Sequence, residues 1–164
     1  MSGQLFFRNR QRTRRVDVAL LRRITRALLT DYFHPQHFEL CLHLTAAPEM
    51  SQVNQTFLRH AGATDVITFN HADPAQRDLI YGEIYICIDE AVAQARRFRT
   101  TWQSELVRYV VHGILHLHGY DDSRAAARCR MKREENRLLR ALARRFCFAS
   151  LAKKGRQNGA MTDS

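Results

Sequence analysis

The stretch HGILHLHGYDD, residues 112–122, places two histidines four positions apart and ends in a glycine and two aspartates. On an α-helix, residues at i and i+4 share one face, so His112 and His116 can bind the same metal ion. Gly119 favours the end of that helix, and Asp122, beyond the turn, offers a carboxylate as third ligand. Three protein ligands that leave one position open are typical of a catalytic zinc site.

The spacing has a simpler interpretation. Two histidines four apart also arise by chance, with one in solvent and one in the core, so the motif depends on its context. Here the pair lies late in a patterned helix that ends in glycine and acids. Gly113 stands where zinc peptidases carry the glutamate that acts as general base, so peptide hydrolysis by that mechanism is not expected.

Length and composition predict one globular domain. We assign residues 1–150 to it and expect the polar, glycine-containing segment 151–164 to be a disordered tail. No apolar run approaches the roughly 20 residues that span a bilayer, and no signal-peptide core is present, so a cytoplasmic location is expected. The four scattered cysteines form no CxxC pair and are interpreted as free thiols.

Charge is the second strong signal. Lysine and arginine total 26 against 16 acids, which gives a net charge of +10. Any one basic cluster is explained by a solvated surface, but an excess spread over the whole chain favours a polyanionic partner, with nucleic acid the first candidate. An anionic membrane surface is a weaker candidate, because the basic helices have no large aromatic face.

Hydrophobic periodicity predicts strands that alternate with helices, and therefore a small mixed sheet packed against helices. Gly113 lies on the packed stripe of its helix, which indicates that another part of the backbone approaches closely there. We expect Asp89 to cap one helix, and Thr100 with Gln103 to form a capping box for the next. The expected strands are 3–8, 38–44, 64–69 and 82–88, the last two in a possible hairpin, and the expected helices are 16–33, 48–60, 90–99, 101–118 and a last one ending near 146.

Three motifs together resemble the bacterial rRNA maturation factor YbeY family, which consists of zinc-dependent single-strand endoribonucleases. HGILHLHGYDD matches all but the last letter of the family's histidine motif. NQTFLRHAGATDVITF (54–69) and GEIYIC (82–87) are similar to two further family segments in the same order. The resemblance implies a zincin-like α+β fold, with about four strands, about five helices and the metal motif on a late helix.

The resemblance implies one Zn²⁺ per chain, bound by His112, His116 and the residue at 122. The family supplies a third histidine at that position, whereas this chain has Asp122. Aspartate also binds zinc, but it lowers the net charge of the centre from +2 to +1. His118 is the alternative third ligand, although a regular helix points it elsewhere. Asp121 is expected to cap the turn or to orient a ligand histidine.

Arg59 matches a family arginine, so the resemblance assigns it a catalytic role beside His116 and contact with RNA phosphate. The implied partners are single-stranded RNA, 16S rRNA near its 3′ end, and the small ribosomal subunit, with no membrane and no nucleotide cofactor. The general base stays unassigned: metal-bound hydroxide could fill that role, or the RNA's own 2′-hydroxyl could be the nucleophile. Two rival functions are an RNA-binding assembly factor with a structural metal and a metal hydrolase of another substrate.

Overall fold

The computed structural model describes residues 2–58, 64–76 and 78–154. Four strands and five α-helices form an α+β fold in these ranges, as the sequence predicted. None of the described helices combines the length and the apolar character needed to cross a membrane. The strands are β1 (Ser2–Asn9), β2 (His37–Thr45), β3 (Val66–Asn70) and β4 (Leu79–Cys87), and the helices are α1 (Val18–Leu28), α2 (Ala47–Val53), α3 (Ile88–Phe98), α4 (Trp102–Leu117) and α5 (Ala125–Arg145).

The four strands form one mixed sheet in the order β1-β2-β4-β3. β1 and β4 pair with β2 in parallel, and β3 pairs with β4 antiparallel. The antiparallel pair is the predicted hairpin, with Phe69 opposite Glu83. The mixed sheet is therefore confirmed.

The main core lies between one face of the sheet and helices α1, α3, α4 and α5. Alternate residues of β2 point into it, and Leu40 and Leu42 are completely buried. Burying each such side chain contributes about 1.5–3 kcal/mol before the entropy cost of ordering it. α4 runs through the middle of this layer and contacts β3, β4, α3 and α5. Its position explains why most of its own residues are buried.

Two of the predicted helix caps are wrong. Thr101, not Thr100, caps α4 by accepting a hydrogen bond from the backbone N–H of Ser104. Asp89 lies inside the first turn of α3, where its carboxylate accepts from the Ala47 N–H at 2.6 Å and from the Thr13 hydroxyl at 2.6 Å. Asp89 therefore stabilises the start of α2 through a tertiary contact and does not cap its own helix.

Gly113 marks a close approach between α4 and the sheet. A Cβ added there would lie 2.8 Å from both Cδ1 and Cγ2 of Ile84 on β4. The predicted close approach exists, but the neighbour is a side chain and not a backbone. Because α4 lies this near β4, the distance between the helix and the sheet is fixed. The positions of His112 and His116, on the neighbouring face of α4, are fixed with it.

The ordered fold extends past the predicted domain boundary at residue 150. Leu151 is completely buried, Ala152 pairs with Val16, and the Lys153 N–H donates to the Arg15 carbonyl at 2.9 Å. Leu151 begins a mostly polar segment, and for this reason composition predicted a domain boundary before it. Residues 155–164 of the predicted tail lie outside the described residues.

Two other helices end in short π-helical turns. α1 continues through Leu29–Phe33, and α2 continues through Asn54–Leu58. The first turn stops at His34, whose φ of 49° is left-handed. Positions 59 and 60 of the predicted second helix are outside the described ranges.

Candidate metal centre

The end of α4 brings together two histidine rings and one carboxylate. Nε2 of His112 and Nε2 of His116 lie 3.1 Å apart. Oδ2 of Asp122 lies 3.3 Å from Nε2 of His116 and 3.8 Å from Nε2 of His112. Gly119, with a φ of 106°, lets the chain reverse after the helix and carry Asp122 back toward the rings.

The outer nitrogen of each ring has a hydrogen-bond acceptor of its own. Nδ1 of His116 lies 3.2 Å from the carbonyl oxygen of Tyr120, which can only accept. Nδ1 of His112 lies 2.9 Å from Oε2 of Glu135. Both Nδ1 atoms are therefore assigned as N–H donors, and each Nε2 presents a lone pair.

These assignments make the centre suitable for a cation. Two Nε2 lone pairs and a carboxylate oxygen, all hydrogen-bond acceptors, face one another. No hydrogen-bond donor lies between them unless one of the rings takes up a second proton. Ligands at roughly 2.0–2.2 Å around a tetrahedral ion stand roughly 3.3–3.6 Å apart, close to the distances found here. His112, His116 and Asp122 could hold one metal ion.

Glu135 is the anionic support of this centre. It is 3% exposed and receives hydrogen bonds from Arg108 at 2.7 Å and from Lys132 at 3.2 Å, besides that from His112. Burial raises its pKa, but the hydrogen bonds from His112 and Arg108 outweigh burial and lower the pKa to about 2. The carboxylate is thus ionised at neutral pH and orients the His112 ring.

The donor atoms remain accessible from one side. The side chains of His112 and His116 are 30% and 25% exposed, and that of Asp122 is 45% exposed. A structural zinc site is closed by four protein ligands, whereas this group supplies three and leaves an approach from solvent. The arrangement is therefore the kind that admits a substrate or water.

The alternative third ligand, His118, is not part of this group. Its ring packs edge-on against Phe33 with centroids 4.9 Å apart, and burial lowers its pKa. Asp121 instead closes the turn, by accepting from the Ser123 N–H at 2.9 Å. Glu135 and the Tyr120 carbonyl, rather than Asp121, orient the two histidines.

Sequence reasoning left two supporting groups without a role. The carbonyl of Tyr120 could not be found, because every residue carries one. Glu135 had a signal: it falls in the apolar stripe of α5 with Met131, Leu138 and Leu142, where a lone carboxylate needs a buried partner. Arg59, the predicted phosphate contact, lies outside the described residues.

A cavity of about 740 Å³ opens beside the centre, between α3, α4 and α5. His112 and Asp122 form part of its wall, Phe98 and Arg97 contribute from the end of α3, and Tyr109 lines it from α4. Its volume lies within the roughly 300–1,000 Å³ of small-molecule sites. The candidate centre therefore adjoins a space large enough for part of a polymer.

A second group on the opposite face of the sheet also has metal-binding donors, Cys41, His43 and Glu83. There Glu83 already accepts hydrogen bonds from His43 at 2.9 Å and from His71 at 3.0 Å. Burial raises the pKa of the Cys41 thiol, which disfavours the thiolate that binds metals. We therefore take the group of His112, His116 and Asp122 as the candidate metal site.

Comparison with known proteins places most of the chain within one family. A family model described as Endoribonuclease YbeY matches residues 6–143. A protein named Endoribonuclease YbeY from Chlorobium phaeovibrioides is 39% identical over 93 residues, which are 57% of this chain and 61% of that protein. One of the same name from Salinibacter ruber is 37% identical over 109 residues, 63% of this chain and 69% of its own length. The chain thus spans about two thirds of the length of these curated relatives.

The fold has a counterpart among solved structures. The solution structure of a Thermotoga maritima protein matches with a TM-score of 0.64 and 24% sequence identity. The match covers 94% of this chain and 99% of that one. At this identity the likeness shows a shared fold.

Proposed function

The chain belongs to the YbeY family, and from that premise we propose that it is a zinc-dependent endoribonuclease specific for single strands. Its substrate would be 16S rRNA near the 3′ end, within the small ribosomal subunit, and its role would be cytoplasmic. Maturation and quality control of ribosomes are the processes it would serve. The family name supports the reaction class, and the net charge of +10 supports a polyanionic substrate.

One observation carries the proposal: the lone pairs of His112 and His116 and the carboxylate of Asp122 converge at an accessible end of α4. One zinc ion held there would act as a Lewis acid toward a phosphoryl oxygen and activate water. The site's openness favours this function over that of an assembly factor with a purely structural metal.

The chain's own residues have separable tasks. Glu135 and the Tyr120 carbonyl hold the two rings in the tautomer that presents Nε2. Asp122 reduces the positive charge of the centre. Arg59 is proposed to contact the scissile phosphate and stabilise the negative charge that develops on it. No carboxylate occupies position 113, so the general base stays unassigned.

The test is cleavage of a single-stranded RNA that carries a 16S rRNA 3′ tail. Wild type and His116→Ala are compared with and without added zinc, with His118→Ala as the matched control, because His118 lies near the same helix end outside the donor group. We expect cleavage by wild type and His118→Ala only with zinc, and none by His116→Ala. Cleavage should weaken as salt rises, because the phosphate contacts are electrostatic.

Three results would contradict the proposal. Equal cleavage by wild type and His116→Ala would show that the activity comes from elsewhere. RNA binding without cleavage at any zinc loading would favour the assembly-factor function. Salt-independent activity on a generic phosphoester or peptide would favour a hydrolase of another substrate.

A further inference from the structure

The cavity beside the metal centre has one wall that the proposed chemistry does not use. Phe98, at the end of α3, is 61% exposed and lines the cavity. A single exposed phenylalanine needs no explanation by itself. This one lies in the same cavity as His112 and Asp122, and the guanidinium of Arg97 lies 5.3 Å from its ring centroid.

Deeper in the same cavity, a polar group lacks a partner. Tyr109 is only 4% exposed, and its hydroxyl makes no hydrogen bond to any residue that the structure describes. Buried hydroxyls are normally paired, so the unpaired hydroxyl of a residue that lines a cavity is available to donate to a ligand that reaches it. The Tyr109 ring and hydroxyl thus add an apolar surface and one donor.

Acidic and basic residues both line the cavity, and the basic ones without a carboxylate partner suit a phosphate-linked ligand. Its buried acids are engaged: Glu135 is bonded to Arg108, and Glu105 accepts from the Thr100 hydroxyl at 2.7 Å. Arg97 and Arg128 line the cavity and have no carboxylate partner in the described part of the chain. Aromatic rings beside arginines that have no carboxylate partner are the elements with which proteins bind single-stranded nucleic acid.

We infer that this cavity is a nucleobase subsite, in which one base next to the scissile phosphate of single-stranded RNA stacks on Phe98 and accepts a hydrogen bond from Tyr109. The inference rests on the proposed function, because it names how that substrate is held. Stacking on a ring tolerates any base, and every base edge offers an acceptor. The subsite therefore favours unpaired nucleotides without selecting a sequence, since a base within a duplex cannot reach the ring.

The experiment measures binding, so it does not depend on cleavage. Zinc-loaded protein is titrated into a fluorescently labelled 2′-O-methyl hexanucleotide, and a gel afterwards confirms that the probe is intact. Phe98→Ala should weaken binding about fivefold or more, as loss of one stacked base does. Phe98→Tyr should bind like wild type, whereas Phe98→Leu, which keeps apolar bulk without an aromatic ring, should bind like Phe98→Ala. Phe6→Ala is the control, because Phe6 is an exposed phenylalanine on the other face of the sheet.

Abasic substitution locates the stacked base. Removing one base from the probe should weaken its binding to wild type. At the position whose base stacks on Phe98, Phe98→Ala should cause no further loss of affinity for the abasic probe. Tyr109→Phe should weaken binding about threefold at that position, because it removes only one hydrogen bond. These binding results do not depend on cleavage. If the wild type bound RNA in this way but did not cleave it, the proposed function would be contradicted and the nucleobase subsite would not.

Unchanged affinity of Phe98→Ala would overturn the inference. The inference would also be overturned if, at every position of the probe, the loss of affinity from Phe98→Ala added to the loss from abasic substitution. The ring would then contact no particular base. Equal binding by Phe98→Leu and wild type would show that apolar bulk, not stacking, accounts for the effect.

Discussion

Nδ1 of His112 on α4 lies 2.9 Å from Oε2 of Glu135 on α5, and this hydrogen bond joins the two helices next to the candidate metal centre. The bond assigns the ring proton to Nδ1 and leaves Nε2 free to bind a metal ion. Packing between α4 and α5 thus determines the orientation of a metal-binding side chain.

The first prediction concerns Glu135. Glu135→Gln keeps the shape of the side chain but removes the charge that orients His112, so zinc affinity should fall about 10–100-fold. Competition with a chromophoric chelator measures the affinity. The control is Glu134→Gln, because Glu134 pairs with Arg137 and not with the centre. Equal affinities for the two variants would show that Glu135 does not support metal binding.

The second prediction separates the candidate third ligands. Asp122→Ala should lose more zinc affinity than Glu135→Gln, because it removes a ligand and not its support. Asp122→His should retain binding, since a neutral imidazole is also a zinc ligand. Asp121→Ala is the control, and should leave zinc affinity nearly unchanged. A large loss in His118→Ala, with none in Asp122→Ala, would assign the third ligand to His118.

The third prediction concerns the spacing of α4 from the sheet. Gly113→Ala should lower the free energy of unfolding by roughly 1–2 kcal/mol, because the clash with Ile84 exceeds the gain in helix propensity. Urea denaturation measures it. In an Ile84→Ala background the same substitution should cost nothing or stabilise, since the atoms it meets are gone. Equal costs in both backgrounds would contradict the close approach.

The fourth prediction concerns pH and the opposite face of the sheet. The hydrogen bond from His71, aided by that from His43, lowers the pKa of Glu83 below its usual value despite partial burial. A carboxyl whose pKa is lowered on folding stabilises the fold above its unfolded pKa of about 4.3, and that contribution disappears as pH falls through the folded pKa.

The melting temperatures of wild type and Glu83→Gln should therefore differ at neutral pH and converge as pH falls below about 4.3. Glu39→Gln is the control, since Glu39 is a carboxylate on the same face of β2. A gap between wild type and Glu83→Gln that stays constant with pH would mean that the ionised carboxylate contributes nothing specific.

Much of the architecture could be predicted from periodicity alone. The alternation in β2 identified a half-buried strand, and the spacing of His112 and His116 placed both rings on one face of α4. These features are local, so the order of residues determines them. The choice of Asp122 over His118 also followed from helix geometry.

Other features depend on contacts between distant segments. Asp89 has the sequence context of a cap, but the start of α2 recruits it. Leu151 belongs to the core only because the end of the chain returns to Val16. Glu135 lies 23 positions after His112, and only the packing of α5 on α4 makes them partners.

The most direct test of the account is a zinc titration of metal-free protein, in which bound zinc and cleavage of single-stranded RNA are measured in the same samples. We expect both to saturate at one equivalent of zinc in wild type, and neither to do so in a variant with both His112→Ala and His116→Ala. Cleavage by the metal-free protein, or saturation with zinc and no cleavage, would contradict the claim that this centre is the catalytic site.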